Sequence, residues 1–419
     1  MAEMVFSQFE AVVRTAVNPE IEQQFEQAHT LYNRFYKGKP IEVNQRGYRI
    51  PFYDRPPASD GYMGEGGAFP TADNPQFNDM RVFPARYATS FLISGDVFNN
   101  ISGDALIDKI SDLFLLQTEA AKKTLDFQIA GTRTGAIAYI SGAPTSGSNG
   151  NFTCSTTVTG GSTFGSFKIK EGARLNAVNP TTGVARAGTS VVADPGGNNR
   201  STNVVTCDTV NAAWQSGDYI VYENSALKAP HGLTDIVNND SGEIQGQLRS
   251  NRPYLKAVVL NATTQRLQVA LLVEIHYSLR YRTEQAGNTT ILSSPTNKAG
   301  FMSNGYNLLR YEGGGGVLRM DFKDVQFGDL AWEDYVSIDP DRTYGINPAE
   351  INVYELKKFG AYAEDGLTTR MYTSGGTYYD QWTGFIGCKY DLGATRFGCH
   401  WVITNTDITN LPSPAIAFA

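Results

Sequence analysis

The chain has 419 residues, 41% of them hydrophobic and only 18% charged, with 42 glycines, 22 tyrosines and 22 phenylalanines. That length suggests two or three domains, and the composition is turn-rich and globular, not disordered. A net charge of −7 argues against a dedicated nucleic-acid binder, which would carry a basic face, and no apolar run reaches the roughly 18 residues of a membrane span. Few charges and many aromatics suit a surface that is buried against partners.

Residues 1–39 read as an arm, with a short helix at Phe9–Val17 and a second helical stretch from Glu20 to Phe35 whose apolar side is Phe25, Leu31, Tyr32 and Phe35. Its first part is acidic: Glu3, Glu10, Glu20, Glu22 and Glu26 face Arg14 alone, as a solvated helix face would. The first residues have neither the basic start nor the apolar run of a signal peptide. Residues 40–95 read as a long hairpin. One arm is Asn44–Tyr53, the tip from Arg55 to Met80 is filled with Gly, Pro, Asp and Asn, and the return arm runs from Met80 to Asp96. A tip of roughly 25 residues far exceeds the usual hairpin loop. It has too few apolar residues to bury itself, so it needs a neighbour to cover it.

The spacing of Leu106, Ile110, Leu113, Phe114, Ala121 and Leu125 predicts a helix over 103–130, capped by Ser102 or Asp104. Residues 132–225 are rich in small residues and Thr. Strands are expected at Phe164–Lys170, Ala173–Asn179, Val184–Ala193, Asn203–Asp208 and Asp218–Glu223, in a small inserted β domain, a barrel by its compactness. Residues 226–375 mix a helical pattern at Thr263–Thr283, a strand at Thr290–Pro295, a helix at Thr296–Leu308 and strands at Val317–Phe322 and Ile351–Lys357. Tyr378–Lys389 and Thr395–Thr404 read as two antiparallel strands.

Enzyme signatures are weak. Gly313–Gly316 lacks the Lys-Ser/Thr of a phosphate-binding loop, and there is no GxGxxG after a strand and no GxSxG elbow. His29, His231, His276 and His400 are scattered, without HExxH. Asp339 and Asp341 sit in a turn that favours Asp for its local hydrogen bonds. Cys154, Cys207, Cys388 and Cys399 form no CxxC pair and read as reduced, half-buried thiols, with two disulfides as the alternative. No catalytic, cofactor-binding or metal residue is expected.

The order of these pieces resembles the major capsid proteins of tailed bacteriophages, the Hong Kong 97-like fold. Tyr32-Asn33-Arg34-Phe35 with Gly47–Pro51 is similar to that family's arm-to-loop entry, and Glu65–Pro70 to its loop tip. Ser90–Gly95 resembles the return to the spine, and Ile291–Pro295 with Ile338–Leu356 the axial elements. The resemblance implies an α+β fold: N-terminal arm (1–39), extended loop (40–95), peripheral domain with spine helix (96–131), inserted β domain (132–225), axial domain (226–375) and a return to the peripheral domain (376–419).

It further implies a non-enzymatic shell protein of a double-stranded DNA phage, made in the bacterial cytoplasm and carried in the virion. Pentamers and hexamers would close an icosahedral head without sequence-specific DNA binding or a membrane. Scaffolding and portal proteins would be separate chains, and a decoration protein is a possible partner. Tyr53, Phe69, Phe77 and Phe83 on the loop are the expected intersubunit contacts. Where the founding member cross-links its loop through a lysine, residues 40–95 contain none, so closure should be non-covalent. The alternatives are an encapsulin-type compartment and, from residues 132–225 alone, a β-rich carbohydrate-binding or tail protein.

Overall fold

The computed structural model describes residues 31–409 and 411, apart from 37–40, 43–46, 56–61, 64–66, 68–70, 72–75, 95–103, 156–164, 284–287, 310–325, 328–329, 362–368 and 375–376. The expected helix at Phe9–Val17, most of the loop tip, Gly313–Gly316 and the expected strand Val317–Phe322 lie outside the described residues.

Asp104–Ala130 is one α-helix of 27 residues, about 40 Å at 1.5 Å per residue. Ala121, Leu125 and Ile129 recur every fourth residue and are fully buried, which turns one helical stripe toward the core. This spine lies against a five-stranded sheet built around the 18-residue strand Thr377–Ala394. Alternate residues of that strand, Ile386, Cys388, Tyr390, Leu392 and Ala394, are buried, as the two-residue period of a strand requires. The strand Ala85–Ser94 runs antiparallel along it from Ala85 opposite Tyr390 to Ser94 opposite Gln381. The other edge takes Ile351–Ala361 and Thr369–Ser374, and Ile41–Glu42 adds a short parallel strand outside Ile351–Ala361. The short helix Leu31–Tyr36 packs Leu31, Tyr32 and Phe35 into the same core.

A second sheet of six strands has the order Val258–Asn261, Trp401–Thr404, Thr343–Ile346, Thr290–Ser293, Leu330–Asp334, Gln326–Phe327. The helix Val269–Arg280 covers it with Leu271, Leu272, Ile275 and Leu279. Arg34 ties the two sheets together, its Nε lying 2.9 and 2.8 Å from the Glu333 carboxylate oxygens.

Sheet membership corrects the expected partition at two places. Ile351–Ala361 and Thr369–Ser374 fall within the stretch expected to be axial, yet they pair with the long strand of the first sheet. Trp401–Thr404, expected beside residues 378–389, lies instead between Val258–Asn261 (parallel) and Thr343–Ile346 (antiparallel). Its first three residues are all buried, the mark of a strand covered on both faces. Gly345 makes room for it: a Cβ there would sit 1.9 Å from Trp401 Cε2.

Between the spine and the second sheet, residues 138–222 form a seven-stranded antiparallel sheet in the order Asn198–Asn199, Val204–Thr206, Asn151–Ser155, Ala138–Ile140, Tyr219–Tyr222, Arg174–Val178, Ser190–Val191. It closes on itself: Val192 bridges Cys207, Ala193 N–H donates to Thr206 O at 3.0 Å, and Asp208 N–H to Val191 O at 2.9 Å. Ile137, Phe152, Leu175, Val205, Trp214 and Ile220 give this barrel a core of its own, with the Phe152 and Trp214 rings 5.7 Å apart. Leu227 N–H donates to Thr134 O at 3.2 Å, so the chain leaves the barrel beside the point where it entered. Phe164–Lys170, expected as a strand, holds the 3-10 turn Gly165–Lys168. Gly165 permits the tight approach, since a Cβ would meet Ser155 O at 2.5 Å. All four cysteines are buried and free.

Candidate assembly surface

The hairpin strands Tyr48–Arg55 and Gln76–Val82 pair antiparallel from Tyr48 opposite Val82 to Arg55 opposite Gln76, with an irregularity after Tyr53. Ile50, Phe52, Met80 and Val82 point inward and are buried in the main core. Their alternation fixes the register, because a one-residue slip would expose all of them. Arg81 N–H donates to Gln245 O at 2.8 Å, Gln247 Nε2 to Asp79 O at 2.6 Å, and the Phe52 and Tyr254 rings lie 6.0 Å apart. The foot of the hairpin is therefore held by its own subunit.

Of the four residues expected to contact a neighbour, Phe83 sits at the end of the hairpin with 53% of its surface exposed. Tyr53 and Phe77 are opposite each other in the register, but their side chains lie outside the described residues, as does all of Phe69. Within the described tip, Tyr62 and Met63 are exposed.

Two further apolar surfaces were not singled out from the sequence. Leu92 and Phe385 are exposed on adjacent strands of the first sheet, on one face because Leu92 is opposite Thr383 and Ser90 opposite Phe385. On the helix Val269–Arg280, Val269, Val273 and Tyr277 form an exposed stripe that continues to Tyr281. Four-residue spacing could have revealed that stripe; only the strand register could reveal the sheet patch.

The barrel is fastened to the body through the 3-10 turn that sequence reasoning took for a strand. Phe167 meets Phe127 of the spine edge-on at 5.8 Å. Lys168 Nζ lies 2.5 Å from Asp339 Oδ1, and Arg342 is on the other side of that carboxylate at 3.9 Å. Burial alone would raise the Asp339 pKa, but Lys168 and Arg342 hold it below the usual carboxylate value. Lys170 Nζ donates to Ala120 O and Thr124 Oγ1 of the spine, both at 2.6 Å.

Of the four histidines, His231, His276 and His400 are among the described residues, and His29 lies outside them. His231 Nδ1 lies 3.0 Å from Asp391 Oδ2. His400 is fully buried, accepts from Asn347 N–H at 3.2 Å, and is lowered by burial to about 3, so it stays neutral and already engaged at physiological pH. His276 is also lowered, by burial and by Arg280.

A hairpin, a spine helix across a five-stranded sheet, and a second sheet covered by a helix together make a Hong Kong 97-like fold, here carrying an inserted barrel. The structure matches the capsid of cyanophage A-1(L) with a TM-score of 0.52 at 10% identity, over 88% of this chain and 90% of the other. Fainter likenesses are the capsid of a native GTA particle (TM-score 0.45, 7% identity, 89% and 90% covered) and the SrpI encapsulin of Synechococcus elongatus (0.43, 10% identity, 92% of each chain). No family model matches the chain, and no curated protein matches it in sequence.

Proposed function

We propose that the protein is the major capsid protein of a tailed double-stranded DNA bacteriophage, a structural protein without catalysis whose copies form the pentamers and hexamers of an icosahedral head. The observation that carries this reading is the correspondence with a chain of a cyanophage capsid over 88% of this chain and 90% of the other. It is supported by apolar residues left exposed on the elements that project from or face away from the body: Phe83, Leu92, Phe385 and the stripe ending at Tyr281. Surfaces of this kind mark association. Burial at about 25 cal/mol per Å² over an obligate interface of about 2,000 Å² or more can hold a shell without covalent bonds. Scaffolding, portal and decoration proteins would be separate partners, and the enclosed DNA would be held without sequence-specific contacts.

Expression of the chain alone or with candidate scaffolding proteins, followed by negative-stain microscopy, tests this. Closed shells are expected; fibres, tail-like assemblies or a stable monomer under all conditions would overturn it. The contents separate the two shell readings, since an enclosed enzyme in place of nucleic acid would make it an encapsulin-type compartment.

A further inference from the structure

A cleft of about 370 Å³ opens where the hairpin's return strand, the spine helix and the barrel meet. Three cations line it, Arg86, Lys170 and Lys228, against one carboxylate, Glu223. Glu223 is already held by Arg174 at 2.6 Å. Among the described residues no carboxylate pairs with Lys170 or Lys228. The cleft is therefore positive and lacks a counter-charge of its own.

Its wall also holds more donors than acceptors. Lys170 Nζ donates to Ala120 O and Thr124 Oγ1 of the spine, both at 2.6 Å, which engages two of the three N–H groups of an ammonium. Both acceptors are neutral, and Thr124 Oγ1 spends its own proton on Ala120 O at 3.1 Å. Tyr390, also in the wall, is fully buried, and its hydroxyl has no partner among the described residues. A buried donor left without an acceptor costs free energy. Burial, with Lys123 repelling it, lowers the Lys170 ammonium to about 8, and an anion at its side would offset both effects. Water could accept from the hydroxyl but could not balance the charge. A tetrahedral oxyanion does both, because it is negative and its oxygens accept from several directions. At roughly 30 Å³ per water, the cleft has room for such an ion and part of its hydration shell.

We infer that this cleft is a binding site for a small tetrahedral oxyanion, phosphate or sulfate, with the Lys170 ammonium and the Tyr390 hydroxyl as donors in its wall and Arg86 and Lys228 as its further cations. Bound there, the ion joins the return strand, the spine and the barrel to one another. The inference stands on the cleft itself and does not depend on the shell reading.

The test is equilibrium dialysis of radiolabelled inorganic phosphate against the full chain, in chloride at fixed ionic strength, which reads the cleft whether or not shells form. Saturable binding of one phosphate per chain is expected, with sulfate competing. Lys170→Met, which removes a charged donor, should weaken binding about tenfold or more. Tyr390→Phe, which removes the hydroxyl and keeps the ring, should weaken it several-fold. Absence of saturable binding, or an affinity unchanged in either variant, overturns the inference. Lys170 also ties the barrel to the spine, so if Lys170→Met does not fold, Tyr390→Phe alone decides. Duplex DNA at the same phosphate concentration should leave the label bound; its displacement would assign the cleft to a phosphodiester backbone and overturn the free-ion site.

Discussion

Two excursions leave the body of this chain, and they bury their apolar residues differently. The hairpin of residues 48–82 has no core of its own: Ile50, Phe52, Met80 and Val82 belong to the body's core, and beyond its foot Tyr62 and Met63 are exposed. The barrel of residues 138–222 closes its sheet and fills it with Phe152, Leu175, Val205 and Trp214. It meets the body through a few polar and aromatic contacts around Phe167, Lys168 and Lys170. A self-sufficient unit can be inserted without remaking its host, whereas a hairpin without a core of its own depends on other surfaces to bury its apolar residues. The first is a candidate for independent stability, the second for assembly.

The sharpest way to break this comparison is to replace Pro56–Pro75 by Asn-Gly, a two-residue turn suited to the register that puts Arg55 opposite Gln76. Circular dichroism should show a folded subunit, and microscopy should show no shells; normal shells would remove the hairpin from assembly. Next in size is Trp214→Ala in the barrel. Truncating a buried Trp should cost about 3–5 kcal/mol. If the barrel folds as its own unit, calorimetry should show an earlier transition followed by an unchanged one for the body, and a single shifted transition would show that the two are one cooperative block.

The fastening between barrel and body is the third target. Lys168→Met leaves Asp339 without its closest cation, and losing one partner of a largely buried pair should cost roughly 3 kcal/mol, separating the two transitions further. The sign of the pH effect follows from the lowered Asp339 carboxyl. Its stabilisation is present above the unfolded value of 3.8 and fades as pH falls through the lower folded value. The stability gap between wild type and Asp339→Asn should therefore narrow below that pH, and a gap that widens in acid would refute the assignment.

A smaller effect on the subunit is expected for Phe83→Ser. The side chain is half exposed, so stability should stay within about 0.5 kcal/mol while the concentration needed for assembly, read by light scattering, rises. Finally, boiled and reduced particles should run as one band near 45.8 kDa, and multimers that survive reduction would show a cross-link that does not use the hairpin.

The spine helix was legible from the spacing of Leu106, Ile110, Leu113, Phe114, Ala121 and Leu125, of which Ala121 and Leu125 are buried, and the hairpin because its tip is visibly poor in apolar residues. Phe83 was expected at an interface, and the structure leaves it exposed at the end of the hairpin away from the tip. Leu92 and Phe385 were not: they lie far apart in the sequence, and only the pairing of Ser90 with Phe385 places the two together. The stripe Val269, Val273, Tyr277 is visible as a four-residue spacing, but the same helix has a second apolar face, Leu271, Leu272, Ile275 and Leu279, and only packing shows that this one fills the core. The contacts of Lys168 and Lys170 were not legible, since the expected strand over Phe164–Lys170 is instead a 3-10 turn at Gly165–Lys168 that brings them to Asp339 and the spine.

The amino-acid sequence by itself determined the local elements: a long amphipathic helix, a hairpin with a tip poor in apolar residues and a composition low in charge and rich in aromatics. Helical period, turn chemistry and composition act over a few residues and can be read wherever they occur. The tertiary structure decided which strands share a sheet, assigning Ile351–Ala361 to the first and Trp401–Thr404 to the second. It also decided which apolar faces stay open. A strand's alternation satisfies any sheet with a free edge, and the entropy of closing a longer loop grows only slowly with its length. The choice between distant partners therefore falls to packing, such as the space that Gly345 leaves for the indole of Trp401.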